Sequence, residues 1–550
     1  MIGARRTRRR NALVVSIAAA AMLLSACSSS DDAERGMDDG EDGAGEQVES
    51  AESVGYTVPA PTISAPPAEG AGVTSPQPAV ALPDGYTQEE LFVGGTATSF
   101  APIDTPDDGA WSVRPDETAE YRTRVIVKRP PPDRFSGTVI VEWYNVSAIE
   151  ASPDWAYLSK EIGREGHAYI GVSAQSQGVV GGETLLDVSV DEGAAEEAGA
   201  SVDRSGLQHV DPERYGTLEH PGDQYAFDIF SQVGRAATED PDALLGGLVP
   251  EQVIAVGESQ SAAFLSTVVN AVHPLDPVYD GFLVHSRGAN TAALEGVYRR
   301  ANDDSTTAEE AAQQIAESAV RIRTDLDEPV LVVETETDLT LLGYAHARQP
   351  DTDRLRTWEI AGTAHSDAHM LRALLGGPRD PMSGSLLGCT EPINTGPHHE
   401  VVQAALHHLV GWTAGGEPPP EAARIELRNG EGDGNGGGEE GEVVIARDDL
   451  GIAVGGVRTP LVDVPISAST GEPAGGAGLE ELVTDGDICV LFGTTIPFDQ
   501  PTLVQLHGSF DAYLQAFRDS AADAVAAGFL LQPDADDLIA EAEQNRPLFG

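Results

Sequence analysis

Gln252-Val-Ile-Ala-Val-Gly257-Glu258-Ser259-Gln260-Ser261-Ala262-Ala263 decides the fold. Val253 to Val256, apolar and partly β-branched, read as a short buried strand. Gly257 permits the sharp turn that must come next, and Ala262 to Val272 reads as a helix stopped by His273-Pro274. The unit is therefore strand, tight turn with Ser259 at its tip, helix. A serine so placed is held away from the sheet with its Oγ exposed. The next N–H, that of Gln260, sits at a helix N-terminus, where it can stabilise an oxyanion. This is the geometry of a nucleophile elbow. The string is Gly-x-Ser-x-Ser and lacks the second glycine of the usual motif, but Ser261 is small enough for close helix packing. The bland alternative is a structural serine in a β-α turn; the flanking strand and helix, together with an acid and a histidine later in the chain, weigh against it.

A serine hydroxyl is a poor nucleophile until a base takes its proton, and an imidazole base works best when a buried carboxylate fixes its tautomer. The chain supplies both partners after the serine. Pro329-Val-Leu-Val-Val-Glu-Thr-Glu-Thr-Asp338 is a strand running into acidic residues, and Leu355-Arg-Thr-Trp-Glu-Ile-Ala-Gly-Thr-Ala-His365 is a strand running into a Gly-x-x-His loop. Asp338, just past the strand end, is the expected acid; Glu336 is the alternative and Glu334 lies nearer the strand. His365 is the expected base. The oxyanion hole would pair the Gln260 N–H with one from the loop after Trp143, that of Tyr144 or Asn145, though no His-Gly-Gly-Gly string marks the second donor. Ser173 and Ser286 also end strands and are rival nucleophiles. His365 with His369, and the doublets His398-His399 and His407-His408, have no third ligand at metal spacing, so neither a metal nor a cofactor is expected.

The whole chain bounds these expectations. Its 550 residues carry 33 basic against 89 acidic side chains, a net charge of −56. Such a surface repels nucleic-acid phosphate, so no nucleic-acid partner is expected. Arg5 to Arg10 precede an apolar run from Ala12 to Leu24 and then Ser25-Ala26-Cys27. That is the layout of a secretory signal over residues 1–26, too short for a membrane span. Leu24-Ser25-Ala26-Cys27 resembles a bacterial lipobox, which implies lipid on Cys27 and an exported protein anchored to the cell membrane, by the general or the twin-arginine route. Residues 27–83, acidic and then rich in Pro, Ala and Ser, read as a disordered tether, with the folded domain spanning 84–550. In an oxidising compartment Cys389 and Cys489 are expected to pair.

Within the domain, Tyr121 to Lys128, Thr138 to Tyr144, His167 to Ser173, Gly281 to His285, Pro329 to Glu334 and Leu355 to Ile360 read as strands. Helices are expected from Pro153 to Glu165 behind a Ser152 cap, from Gln224 to Ala237, from His398 to Trp412 and from Leu503 to Gly528. This alternation predicts an α/β fold with a mostly parallel central sheet flanked by helices. Residues 175–222 interrupt it and read as a lid-like insertion; residues 415–550 form a C-terminal extension packed on the same domain.

The chain resembles the α/β-hydrolase superfamily and, more narrowly, a bacterial group of alpha/beta hydrolase domain proteins. The resemblance rests on Val141-Glu-Trp-Tyr-Asn-Val-Ser147, Pro153-Asp-Trp155, Asp211-Pro-Glu-Arg-Tyr-Gly216, Gly257-Glu-Ser-Gln-Ser261, Val284-His-Ser-Arg-Gly288 and Cys489-Val-Leu-Phe-Gly-Thr-Thr-Ile-Pro-Phe498. It implies hydrolysis of a small-molecule ester through Ser259, His365 and an acid. Acyl transfer or amide hydrolysis by the same residues, and a non-catalytic binding lipoprotein on this scaffold, are the alternatives.

Overall fold

The computed structural model describes residues 55–550 apart from 71, 78, 183–205, 299–307, 377–379, 430–442 and 475–487. The strands of its central sheet are β1 Thr62–Ser64, β2 Thr87–Asp104, β3 Ser112–Arg129, β4 Thr138–Trp143, β5 Ala168–Val172, β6 Gln252–Glu258, β7 Gly281–His285, β8 Val330–Thr335 and β9 Leu355–Ile360. They form one sheet in the order β1-β2-β3-β5-β4-β6-β7-β8-β9. From β5 to β9 every pair is parallel, while β1, β2 and β3 are antiparallel.

The parallel strands are apolar runs because both of their faces are covered. Val139 and Val141 of β4 and Val253 and Ala255 of β6 face one core with Phe230 and Phe264. Their neighbours Ile140, Ile254 and Val256 face the other, with Trp155, Trp358, Val402 and Leu406. This is the period of two expected of a strand, with both phases hydrophobic. Helix Pro153–Glu165 covers the second face, and Gly166 ends it in the left-handed region at φ 77°. Ser152 does not cap it through its side chain. Glu142, at the end of β4, does so from a different element, accepting the N–H groups of Asp154 (3.0 Å) and Trp155 (2.9 Å).

The boundary of the folded unit differs from the expectation. The described residues of 55–83 are not a tether: β1 pairs with β2, Val58 is buried, and its N–H donates to Asp276 at 2.8 Å. Arg124, fully buried, donates to the Thr74 carbonyl at 2.7 Å. A segment too poor in apolar residues to fold alone is ordered by an existing sheet edge and by buried groups that need its carbonyls. Residues 1–54, with the expected signal and Cys27, lie outside the described residues.

In the insertion, residues 183–205 also lie outside the described residues. Its flanks pack Val179, Leu207, Tyr215 and Leu218 against Phe92 of β2. Within the C-terminal extension, Ile425, Ile452, Ala453 and Val462 join the core of the sheet, and Cys389 is bonded to Cys489. The expected helix over 503–528 is two helices, Gln500–His507 and Phe510–Ala527. Gly508 at φ 75° breaks it, and the Ser509 side chain caps the second.

Candidate active site

Ser259 comes directly after β6 and precedes helix Gln260–Thr267, with φ 61° and ψ −121°. A non-glycine residue in this region is strained, and strain of this kind persists only where surrounding bonds over-determine it. Here the Ser259 N–H donates to the His285 carbonyl at 3.0 Å, and its own carbonyl accepts the Ala263 N–H at 3.1 Å. A Cβ at Gly257 would lie 3.0 Å from the Ser261 carbonyl oxygen, so the first glycine of the motif has a steric reason. Ser261 is fully buried in place of the second.

His365, in the loop after β9, faces the serine with Nε2 2.8 Å from Ser259 Oγ. Its Nδ1 lies 2.7 Å from Asp338 Oδ1. Asp338 is fully buried in the short helix Glu336–Thr340 after β8, and its other oxygen accepts the Thr335 N–H (2.6 Å) and hydroxyl (2.7 Å). The carboxylate is thus held on three sides and can fix the imidazole with Nδ1 protonated and Nε2 free to accept. Glu336 points elsewhere. It accepts the Gly362 N–H at 2.6 Å and the Gly471 N–H at 3.0 Å, and it pairs with Arg447 at 2.9 Å. Glu334 is buried, and burial pushes its carboxyl well above the usual range.

The expected second oxyanion donors are not available. The Tyr144 N–H donates to the Val172 carbonyl (3.1 Å) and the Asn145 N–H to the Ala151 carbonyl (2.9 Å), which extend sheet and loop pairing past β4. The next N–H in that loop, of Val146, meets the Gln260 side-chain oxygen at 3.2 Å. The Gln260 N–H opens its helix and has no intrahelical acceptor.

The rival serines are buried. Ser173 Oγ accepts from Arg124 Nε at 3.2 Å, and Ser286 is fully enclosed. The structure also supplies ligands that the histidine doublets lacked in sequence: Glu161, Glu165 and His407 bring one ligand atom each within 4.8 Å of one another. Glu161 is already engaged there by Arg164 at 2.8 Å.

Sequence reasoning missed two features beside this triad-like chain. Glu258, adjacent to Ser259, is buried, with Oε1 3.6 Å from His365 Nε2. Burial raises its carboxyl well above the usual range, and the charges of Asp154 and Asp338 add to that. Asn145 Nδ2 donates to the Glu258 carbonyl at 3.1 Å and faces its Oε2 at 3.4 Å. The second is a buried chain, Asp154 Oδ1 to His285 Nδ1 at 2.9 Å and His285 Nε2 to His398 Nε2 at 2.8 Å. Burial holds His398 well below the ordinary histidine range. Because the His285 carbonyl takes the Ser259 N–H, this chain anchors the strand end that fixes the elbow. Glu258 was visible beside the serine, and Asp154 and His285 lie in motifs that carry the resemblance.

The family model of the alpha/beta hydrolase domain matches residues 58–540. Among solved structures, the chain is similar to a fungal esterase from Rhizomucor miehei at 9% identity, covering 61% of this chain and 86% of that one with a TM-score of 0.28. An esterase from Pseudomonas putida ECU1011 is similar at 11% identity over 57% and 84% of the two chains, with a TM-score of 0.27. The corresponding figures for an esterase of the archaeon Pyrobaculum calidifontis are 12%, 48%, 74% and 0.24. No curated protein matches the sequence.

Proposed function

We propose that this chain, which belongs to the alpha/beta hydrolase domain family, is a serine hydrolase that cleaves small carboxylic esters through an acyl-enzyme on Ser259. The observation that carries the proposal is the unbroken path Asp338, His365, Ser259, with 2.7 Å and 2.8 Å contacts ending on a strained turn. Ser259 Oγ attacks the ester carbonyl as His365 Nε2 takes its proton. The imidazolium, stabilised by Asp338, then gives that proton to the departing alcohol. Water attacks the acyl-enzyme with His365 again as base, and the acid leaves as Ser259 recovers its proton. The Gln260 N–H faces the developing oxyanion from the helix N-terminus. Export and a lipid on Cys27 are part of the proposal, and they rest on residues 1–27 of the sequence.

A fluorophosphonate probe tests it, with peptide mapping and a Ser259→Ala control. Labelling confined to Ser259 and abolished in the control is the expected result. A folded protein that takes no label would be a binding protein on this scaffold.

A further inference from the structure

We infer that Glu258 positions the water that hydrolyses the acyl-enzyme, and thereby commits the acyl group to water over a competing alcohol. The inference rests on the serine-hydrolase proposal and deepens it. In the free enzyme His365 Nε2 has two neighbours, Ser259 Oγ at 2.8 Å and Glu258 Oε1 at 3.6 Å. The second separation is too long for a direct hydrogen bond, yet short enough that one water lying beside the pair, about 2.8 Å from each atom, can bond to both. Once Ser259 is acylated its oxygen carries no proton, and the lone pair on Nε2 turns to the next donor. That donor is a water held between Nε2 and Glu258.

The surroundings of Glu258 are built for holding, not for charge. Asn145 fixes its far oxygen at 3.4 Å and its own carbonyl at 3.1 Å, so the side chain is clamped at both ends. Enclosed beside Asp154 and Asp338, the carboxyl is pushed well above the usual carboxylate range by burial, which favours its neutral form. A neutral acid hydrogen-bonds to water without locking the imidazolium into a fixed ion pair. In the step itself the water oxygen forms the new bond to the acyl carbon, one water proton passes to Nε2, and the carbonyl π pair moves onto oxygen. When the tetrahedral intermediate collapses, the bond to Ser259 Oγ breaks and Oγ takes the proton back from Nε2. Glu258 neither gains nor loses a proton overall.

The test uses the full chain with p-nitrophenyl acetate in stopped flow, comparing wild type, Glu258→Ala and Glu258→Gln, each first titrated with fluorophosphonate. Acylation reads as the nitrophenolate burst and deacylation as the steady state; added methanol reports the split between methyl acetate and acetate. In Glu258→Ala, acylation is expected within about threefold of wild type and deacylation at least about tenfold slower, with the split shifted toward methyl acetate. Glu258→Gln, neutral and of the same shape, is expected to restore deacylation to within about threefold. A Glu258→Ala variant in which both phases fall by the same factor, or neither falls, overturns the inference, as does a Glu258→Gln as slow as the alanine variant. Failure of wild type to label at Ser259 is a different failure, that of the serine-hydrolase proposal itself.

Discussion

Two carboxylates two residues apart, Asp338 and Glu336, compete for one role, and they separate cleanly by substitution. Asp338→Asn places an amide where a carboxylate oxygen now accepts from His365 Nδ1 at 2.7 Å. The side chain must still accept the Thr335 N–H and hydroxyl at 2.6 Å and 2.7 Å, so its oxygen stays there and its NH2 turns to the imidazole. Facing a donor, Nδ1 gives up its proton. The proton moves to Nε2, where it points at Ser259 and removes the base. A tautomer trap of this kind costs about 10⁴ in kcat, equivalent to about 5.4 kcal/mol in the barrier. Glu336→Gln leaves that geometry alone but unbalances a site that receives two N–H groups and Arg447. Breaking one side of such a buried, charge-assisted cluster costs about 3 kcal/mol of stability. Kinetics with p-nitrophenyl acetate, run beside urea unfolding of both variants, distinguish the two. Asp338→Asn should stay folded and lose activity; Glu336→Gln should unfold earlier yet keep activity within a few-fold while folded. An Asp338→Asn enzyme retaining a tenth of wild-type activity would refute the assignment, as would a folded Glu336→Gln enzyme equally inactive.

Three further outcomes are expected. His167 is buried, and desolvation lowers its pKa to about 4 against an ordinary 6.5, so its contribution is complete above pH 6.5 and lost as pH falls toward 4. The loss amounts to about 3 kcal/mol, and urea midpoints at pH 7 and 4.5 should show a smaller drop for His167→Gln than for wild type; equal drops would discount it. Ser286, at φ 52° with a buried hydroxyl that has no partner among the described residues, should tolerate Ser286→Gly with a gain of up to about 1 kcal/mol in chemical unfolding; a clear loss would mean that its hydroxyl is used. The disulfide joins cysteines 100 residues apart, so replacing both Cys389 and Cys489 by alanine should cost about 2–5 kcal/mol. Activity should then fall at lower temperature, because Leu491 and Phe492 accept the N–H groups of Ser366 and Asn394 around the His365 loop; an unchanged thermal profile would argue otherwise.

What is legible in the sequence is what local physics encodes. Strands β4 and β6 to β9 announce themselves as apolar runs because both faces are covered, and helix Pro153–Glu165 because proline opens it and glycine closes it. The order of Ser259, Asp338 and His365 is readable because each sits just past such a strand. By contrast, β2 and the outer half of β3 leave no local signal: Thr87–Asp104 carries Gly94, Gly95 and many polar residues, and it is a strand because it pairs along its length with Ser112–Arg129. That the Tyr144 and Asn145 N–H groups are already taken escapes the sequence for a related reason. Whether a loop N–H is free depends on carbonyls such as those of Val172 and Ala151, which no local pattern in the loop reveals. The chain of Asp154, His285 and His398 spans separations of 131 and 113 residues and is assembled only by the sheet.

The same sheet bears on why Ser259, and not the similarly placed Ser286, is the proposed nucleophile. Ser259 after β6 and Ser286 after β7 are the non-glycine residues with positive φ among those described, at 61° and 52°. Each donates its N–H one strand onward, Ser259 to the His285 carbonyl and Ser286 to the Val333 carbonyl, so the ladder continues one step beyond each strand end and imposes the kink twice. The two turns differ in the residues behind each serine. Behind Ser259 a helix begins at once, which leaves an unspent N–H at Gln260 and keeps the serine partly open. Behind Ser286 comes Arg287, fully buried and donating to the carbonyls of Gly288, Ala289 and Val320, which folds the chain inward and closes the turn over. Backbone strain is therefore common to both positions and selects neither. Access and a helix N-terminal N–H without an intrahelical acceptor belong only to the first, and Asp338 and His365 reach that one from the ends of β8 and β9.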